Sequence, residues 1–182
     1  MVILISCKEN KASDLNQDTE VPADYFPVLS YLKGEIKKVD EIPGGIKKYV
    51  TIGDTVDSSY ISHEEFHQLT QQFLSKEIEP ENFEKRFRER KFYDQTIDAS
   101  SFLYESDSEV PGIKRIDVLT KTSGVYEEIV SLYIEKTEHG NDTITRLLWT
   151  PGKEFQLYKT VPDSPSHNLS IRVVWDQFGG KQ

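Results

Sequence analysis

The chain has 182 residues, of which 36% are hydrophobic and 29% charged, with a net charge of −9. That length can bury a sizeable core, and the composition is not that of a disordered chain. The acidic balance argues against a non-specific nucleic-acid binder, which needs a positive footprint. A single cysteine, Cys7, excludes an intramolecular disulfide.

The chain opens with Met1, Val2 and Ile3, followed by Leu4-Ile5-Ser6-Cys7. Lys8 to Asp24 are polar and acidic with no apolar periodicity, as a flexible tether would be. Leu4-Ile5-Ser6-Cys7 resembles the lipobox of bacterial lipoproteins, where a branched apolar residue and two small or apolar residues precede a cysteine. The resemblance implies that Cys7 is diacylated and becomes the mature N-terminus. Lys8-Glu9 is loosely similar to the Lys-plus-acid signal of some Bacteroidetes lipoproteins that reach the cell surface. Two acyl chains anchor a protein firmly to a membrane. A signal peptide, however, has a basic n-region and an apolar stretch of about 7–15 residues. Only five residues precede Ser6. Either the start lies upstream of Met1, or the match is accidental and Val2, Ile3, Leu4 and Ile5 pack as a stray strand. Elsewhere no apolar run approaches the roughly 18 residues of a membrane-spanning helix.

Phe26 to Ile42 reads as a helix. Leu29, Leu32, Ile36 and Val39 recur at helical spacing, and Pro27 suits a first helical position. Gly34 weakens the helix and Pro43-Gly44-Gly45 ends it. Ile46 to Ile61 reads as a β-hairpin turning at Gly53-Asp54, its second strand polar and at an edge. Ser62 and Glu65 fit a capping box that opens a second helix, with Phe66, Leu69 and Phe73 on its buried stripe. A third helix is expected from Pro80 to about Lys91, carrying Phe83 and Phe87 at i and i+4.

From Phe92 to Trp175 the pattern is an antiparallel β-meander of about six strands: 96–104, 114–120, 127–136, 143–149, 155–161 and 169–175. Pro111-Gly112, Ser123-Gly124, Gly140-Asn141-Asp142, Pro151-Gly152 and the stretch 162–165 punctuate it. One parity carries Ile116, Val118, Val130, Leu132, Ile134, Phe155, Leu157, Leu169, Ile171, Val173 and Trp175, an apolar face for the helices to cover. The other parity is assigned Leu119, Ile129, Tyr133, Leu147, Trp149 and Tyr158 among polar residues. Two accounts fit it: a curved sheet partly covered by its own loops, or an aromatic surface that binds something amphipathic.

His63-Glu64-Glu65-Phe66-His67 matches the His-Glu-x-x-His pattern and resembles that of zinc metalloproteases. In that family the two histidines bind zinc from one helix face and the Glu activates a metal-bound water. The match departs from the family in several ways. His63 falls at a helix mouth, a charged Glu65 stands where an uncharged residue is usual, and no third-ligand motif follows. His139 and His167 lie in predicted loops. The plainer account is an exposed first turn with Glu favoured by the helix dipole.

Lys85, Arg86, Arg88, Arg90 and Lys91 form a basic run interleaved with Glu84 and Glu89. It reads as a solvated helix with i,i+4 pairs, a bound phosphate or anionic headgroup being the alternative. Asp94, Asp98, Glu105, Asp107 and Glu109 lack the spacing of a calcium loop.

The sequence thus predicts an α+β domain over 25–178, with two or three helices packed on the six-strand meander and an extra N-terminal hairpin. A truncated signal and tether (1–24) precedes it and a loose tail (179–182) follows. The overall look is similar to small lipoproteins of Bacteroidetes-type envelopes. The functional expectation is a non-catalytic envelope lipoprotein without a cofactor. It would be anchored at the outer membrane through Cys7, facing periplasm or surface. It would bind a protein partner or an amphipathic ligand through Tyr133, Trp149 and Tyr158. The alternatives are a zinc hydrolase using His63, Glu64 and His67, and a half-barrel lipid carrier with an empty apolar interior.

Overall fold

A computed structural model describes residues 25–124, 126–138, 143–162 and 168–175. Cys7, the tether, His139, His167 and the C-terminal tail lie outside the described residues. The elements, in chain order, are α1 (Val28–Asp40), β1 (Ile46–Ile52), β2 (Thr55–Ile61), α2 (His63–Thr70), a 3₁₀ turn (Lys76–Ile78) and α3 (Pro80–Arg86). There follow β3 (Arg88–Asp94), β4 (Ala99–Glu105), β5 (Gly112–Ser123), β6 (Tyr126–Thr137), β7 (Ile144–Thr150), β8 (Glu154–Thr160) and β9 (Leu169–Val174).

Among the described residues, all nine strands join one antiparallel sheet in the order β2-β1-β9-β8-β7-β6-β5-β4-β3. This corrects the expected α+β layer on a six-strand meander: the molecule is mostly sheet. Two findings overturn the expectation. The N-terminal hairpin is no separate unit, because β1 pairs with β9 from Lys47↔Val174 to Ile52↔Leu169. The end of the third predicted helix is also a strand. Phe87 leaves α3 with φ −112° and ψ 146°, and β3 pairs with β4. Every residue of β3 is exposed, so its composition shows no alternation, and Arg88-Glu89-Arg90-Lys91 reads as helix.

The topology fixes where the helices go. The chain leaves β2 at one edge and enters β3 at the other, eight strand intervals away, on the order of 38 Å at about 4.8 Å per interval. α2, the 3₁₀ turn and α3 make this crossing, and with α1 they cover one face. Leu32, Ile36 and Val39 of α1, Phe66 of α2, Phe73, Ile78 and Phe83 are all buried with Ile116, Leu132, Leu147 and Phe155 of the sheet. Aromatic rings fill the middle: Trp149 lies 5.7 Å from Phe155, 5.2 Å from Trp175 and 5.4 Å from Phe73. A second group under α3 joins Phe83 to Phe87 and Tyr104. The Tyr104 hydroxyl accepts the Phe26 N–H at 3.2 Å, tying the entry of α1 to β4. Among the described residues, ring-to-ring contacts fill the middle of this face, and a cavity of about 160 Å³ lies between the start of α1, Ile78 and α3.

Local chemistry explains the element ends. Ser62 Oγ accepts the Glu65 N–H and caps α2, but the Glu65 carboxylate pairs with Lys48 of β1 instead of closing the capping box. Pro27 is the N-cap of α1, outside the helix, not its first residue. The register of β5 on β6 jumps between Leu119↔Ser131 and Thr120↔Ile129, leaving Val130 as the extra residue of a bulge. Ile129 therefore packs against the core, and Val130, expected there, is 40% exposed. Among the described residues no helix is long and apolar enough to cross a membrane.

Gly34 offers a check on α1. It is exposed, and a Cβ there would meet nothing within 4 Å. Gly34→Ala should therefore stabilise the fold by about 0.5–1 kcal/mol, read as a higher denaturant midpoint with unchanged slope.

Candidate functional site

The sheet face away from the helices carries two cross-strand rows. In one, Leu103, Asp117, Tyr133, Leu148, Gln156, Arg172 and Tyr49 stand side by side on β4, β5, β6, β7, β8, β9 and β1. In the other, Glu105, Arg115, Glu135, Arg146 and Tyr158 do so on β4 to β8. None of these side chains is buried, and none is further than one neighbour from a charged or phenolic group.

Charges on this face are paired almost throughout. Arg146 Nε donates to Glu135 Oε2 at 2.9 Å, and the Tyr133 hydroxyl donates to the same oxygen at 2.8 Å. Arg115 holds both oxygens of Asp117, with its Nε 2.9 Å and 3.0 Å away. Arg172 Nε donates to Glu154 Oε2 at 2.7 Å while its guanidinium sits 5.9 Å from the Tyr49 ring centre, within cation–π range. Arg90 pairs with Glu105, and Tyr158 donates to Gln156. Burial, then the Glu135 hydrogen bond, pushes the Tyr133 phenol up to about 12. Hydrogen bonds from Arg115 to Asp117, Arg146 to Glu135 and Arg172 to Glu154 each raise the guanidinium further. All three therefore stay charged. The face offers recognition chemistry: oriented donors, phenols and aliphatic patches, held in place before anything docks.

Of the three residues expected to form a binding surface, the structure brings Tyr133 and Tyr158 to this face and puts Trp149 on the other. Trp149 is fully buried and pairs with Leu132 and Phe155 in the core row. The correction has a plain cause. In Ile144-Thr145-Arg146-Leu147-Leu148-Trp149 both parities carry apolar residues, so alternation alone cannot orient β7. Arg146 decides it, because a charged residue points to water and takes Ile144 and Leu148 with it. Leu147, also assigned to the open side, is buried as well. The structure adds Leu148 and Tyr49, and places Arg172, expected on this parity from the sequence, between Gln156 and Tyr49. Arg172 sits between Ile171 and Val173, an alternation that does signal an outward side chain, whereas Tyr49 joins the face only because β1 pairs with β9.

His63 and His67 share one face of α2, as the i,i+4 spacing requires. Both turn to the last residue of α1: His63 Nδ1 is 3.3 Å and His67 Nε2 2.9 Å from Asp40 Oδ1. Glu64 is exposed at the helix mouth, and Glu65 is committed to Lys48. Among the described residues no group of three or more His, Cys, Asp or Glu is placed to hold a metal ion. The contact joins two covering helices at the molecular surface.

No family model, no curated protein and no solved structure matches the chain.

Proposed function

We propose that this protein is a non-catalytic binding module of the bacterial cell envelope. In this reading it is held at the outer membrane by lipidation of Cys7 and engages a protein partner through the uncovered face of the sheet. The observation that carries the reading is the row from Leu103 to Tyr49. It runs across seven adjacent strands with Tyr133, Leu148 and Arg172 exposed or half-buried. Seven strands span on the order of 30 Å, enough for a standard interface of about 800 Å² on each partner. Tyr and Arg are enriched where such interfaces hold most of their energy. Because the arginines already sit in ion pairs, little side-chain freedom is lost on docking. A broad sheet face of paired charges and phenols suits a protein better than a small amphipathic ligand, which needs a concave, largely apolar pocket. The address rests on the lipobox-like Leu4-Ile5-Ser6-Cys7 alone.

A photo-crosslinking residue introduced separately at Tyr133 and at Tyr158, in the native cell, should give the same discrete crosslinked species. The same residue at Glu64, on the helical side, should not. Cys7→Ser should move the protein out of the membrane fraction. No crosslink from either tyrosine, or an equal one from Glu64, would remove the face as the binding surface.

A further inference from the structure

The basic run that the sequence places on a helix is split by the fold and gathered around a cleft. Lys85 and Arg86 end α3, Arg88 begins β3, and Lys76 comes from the 3₁₀ turn. With Asn82, Ser108, Glu77 and Asp107 they line an open cleft of about 540 Å³. Four cations thus face two carboxylates, in a chain whose net charge is −9.

One of the two carboxylates is already engaged. Glu77 Oε2 accepts the Ile113 N–H at 3.0 Å and lies 2.8 Å from Arg86 Nη2. Asp107 alone is left to balance Lys76, Lys85 and Arg88. Among the described residues those three side chains have no ion-pair or hydrogen-bond partner, while Arg86, Arg90, Arg115, Arg146 and Arg172 each have a carboxylate. Arg88 is the exception because its cross-strand neighbour Glu105 is taken by Arg90. Arg86 is itself incompletely satisfied. Its Nε and Nη2 are shielded from water, yet neither makes a hydrogen bond of good geometry, despite the short approach of Nη2 to Glu77. Buried donors are satisfied in the great majority of cases, and exceptions call for an explanation. The far wall is held in place as well. Lys114 Nζ donates to the carbonyls of Ser108 and Val110, and Asn82 Nδ2 donates to Lys76 O at 2.8 Å.

We infer that this cleft is an anion site that takes a phosphate group, with Lys76, Lys85 and Arg88 as its charged contacts and Asn82 and Ser108 as neutral ones. A phosphate offers several strong acceptors and up to two negative charges, which suits convergent cations with hydroxyl and amide donors between them. The group arrives either on a free phosphorylated molecule or on the headgroup of a membrane lipid. The site lies on α3, the 3₁₀ turn, β3 and the β4–β5 loop. It stands whether or not the uncovered sheet face binds a protein.

The test uses the full chain and two probes: inorganic pyrophosphate by calorimetry, and flotation with phosphatidylcholine vesicles with and without phosphatidylglycerol. The double variant Lys85→Gln/Arg88→Gln alters exposed side chains and should fold normally. Lys33→Gln/Lys37→Gln on α1 is the control. Pyrophosphate binding weakened at least tenfold in the cleft variant only, and weakened by added salt, supports the site with a free phosphorylated ligand. Flotation that requires phosphatidylglycerol and is lost only in the cleft variant supports it with a headgroup. Absence of binding to both probes, or equal losses in the control, overturns it. If the double variant unfolds, Lys76→Glu alone is the second reading, and unchanged binding there likewise overturns the site.

Discussion

Trp149→Ala should cost about 3–5 kcal/mol of folding stability, the range for truncating a buried aromatic. Tyr133→Ala and Tyr158→Ala on the opposite face should each stay within about 1 kcal/mol. The contrast follows from the faces. Trp149 has no exposed surface and touches rings from three directions: Phe73 edge-on at 87°, Phe155 nearly parallel at 18° and Trp175 tilted at 42°. Removing it deletes a large apolar area and leaves a hole that Phe73 and Phe155 cannot both fill. Phe73 follows the last turn of α2, so the hole also loosens the helix crossing. One feature works the other way. Trp149 Nε1 is buried and has no hydrogen-bond partner among the described residues. Losing an unsatisfied donor recovers part of its desolvation cost. Trp149→Phe should accordingly cost distinctly less than the alanine substitution, even though it removes a ring. Urea melts of the four variants decide the matter. Equal midpoints for Trp149→Ala and Tyr133→Ala would mean that Trp149 is not in the core.

The same residue shows what alternation can and cannot reveal. β5, β6, β8 and β9 each have one parity clearly richer in apolar residues, and there the buried side was legible. β7 has apolar residues on both, since Leu148 is only half-buried and Trp149 fully so. Its face depends on register with Leu132 and Phe155, which is a property of the pairing, not of the segment. The bulge at Val130 is invisible for a related reason: one inserted residue flips the pattern downstream, and the sequence carries no mark where that happens. β3 was hidden because an edge strand exposed on both sides has no core to alternate against. The pairing of β1 with β9 joins residues more than 115 positions apart, and no local signal announces it.

The candidate sites divide along similar lines. Tyr133 and Tyr158 were legible because aromatics that break a polar parity stand out. The cleft was half legible. Lys85, Arg86 and Arg88 were conspicuous as a run, and Lys85 and Arg88 would also be neighbours at i,i+3 on a continuous helix. What the run does not show is that the helix ends at Phe87 and that Lys76 and Ser108, from the 3₁₀ turn and the β4–β5 loop, line the same cleft as Lys85 and Arg88. Charge density was in the sequence, whereas convergence came from the fold.

Gly112→Ala should lower stability by about 2–4 kcal/mol, a large effect for adding one methyl group. Gly112 opens β5 with φ +138°, a conformation that costs a residue with a Cβ about 1–3 kcal/mol. A Cβ there would also come within 2.7 Å and 2.8 Å of the Glu77 carboxylate oxygens and 2.9 Å of Arg86 Nη2. Both are ends of flexible side chains, so they can move, but moving has consequences. Glu77 would release the N–H of Ile113, itself buried, and separate from Arg86. Losing that hydrogen bond adds about 1 kcal/mol. Glu77→Ala provides the comparison, because it removes the carboxylate without touching the backbone. It should cost about 1–2 kcal/mol, less than Gly112→Ala, if the left-handed φ carries most of the penalty. Equal losses in chemical denaturation would instead assign the whole effect to the carboxylate. They would make Gly112 a spacer for Glu77 and Arg86 rather than a conformational requirement.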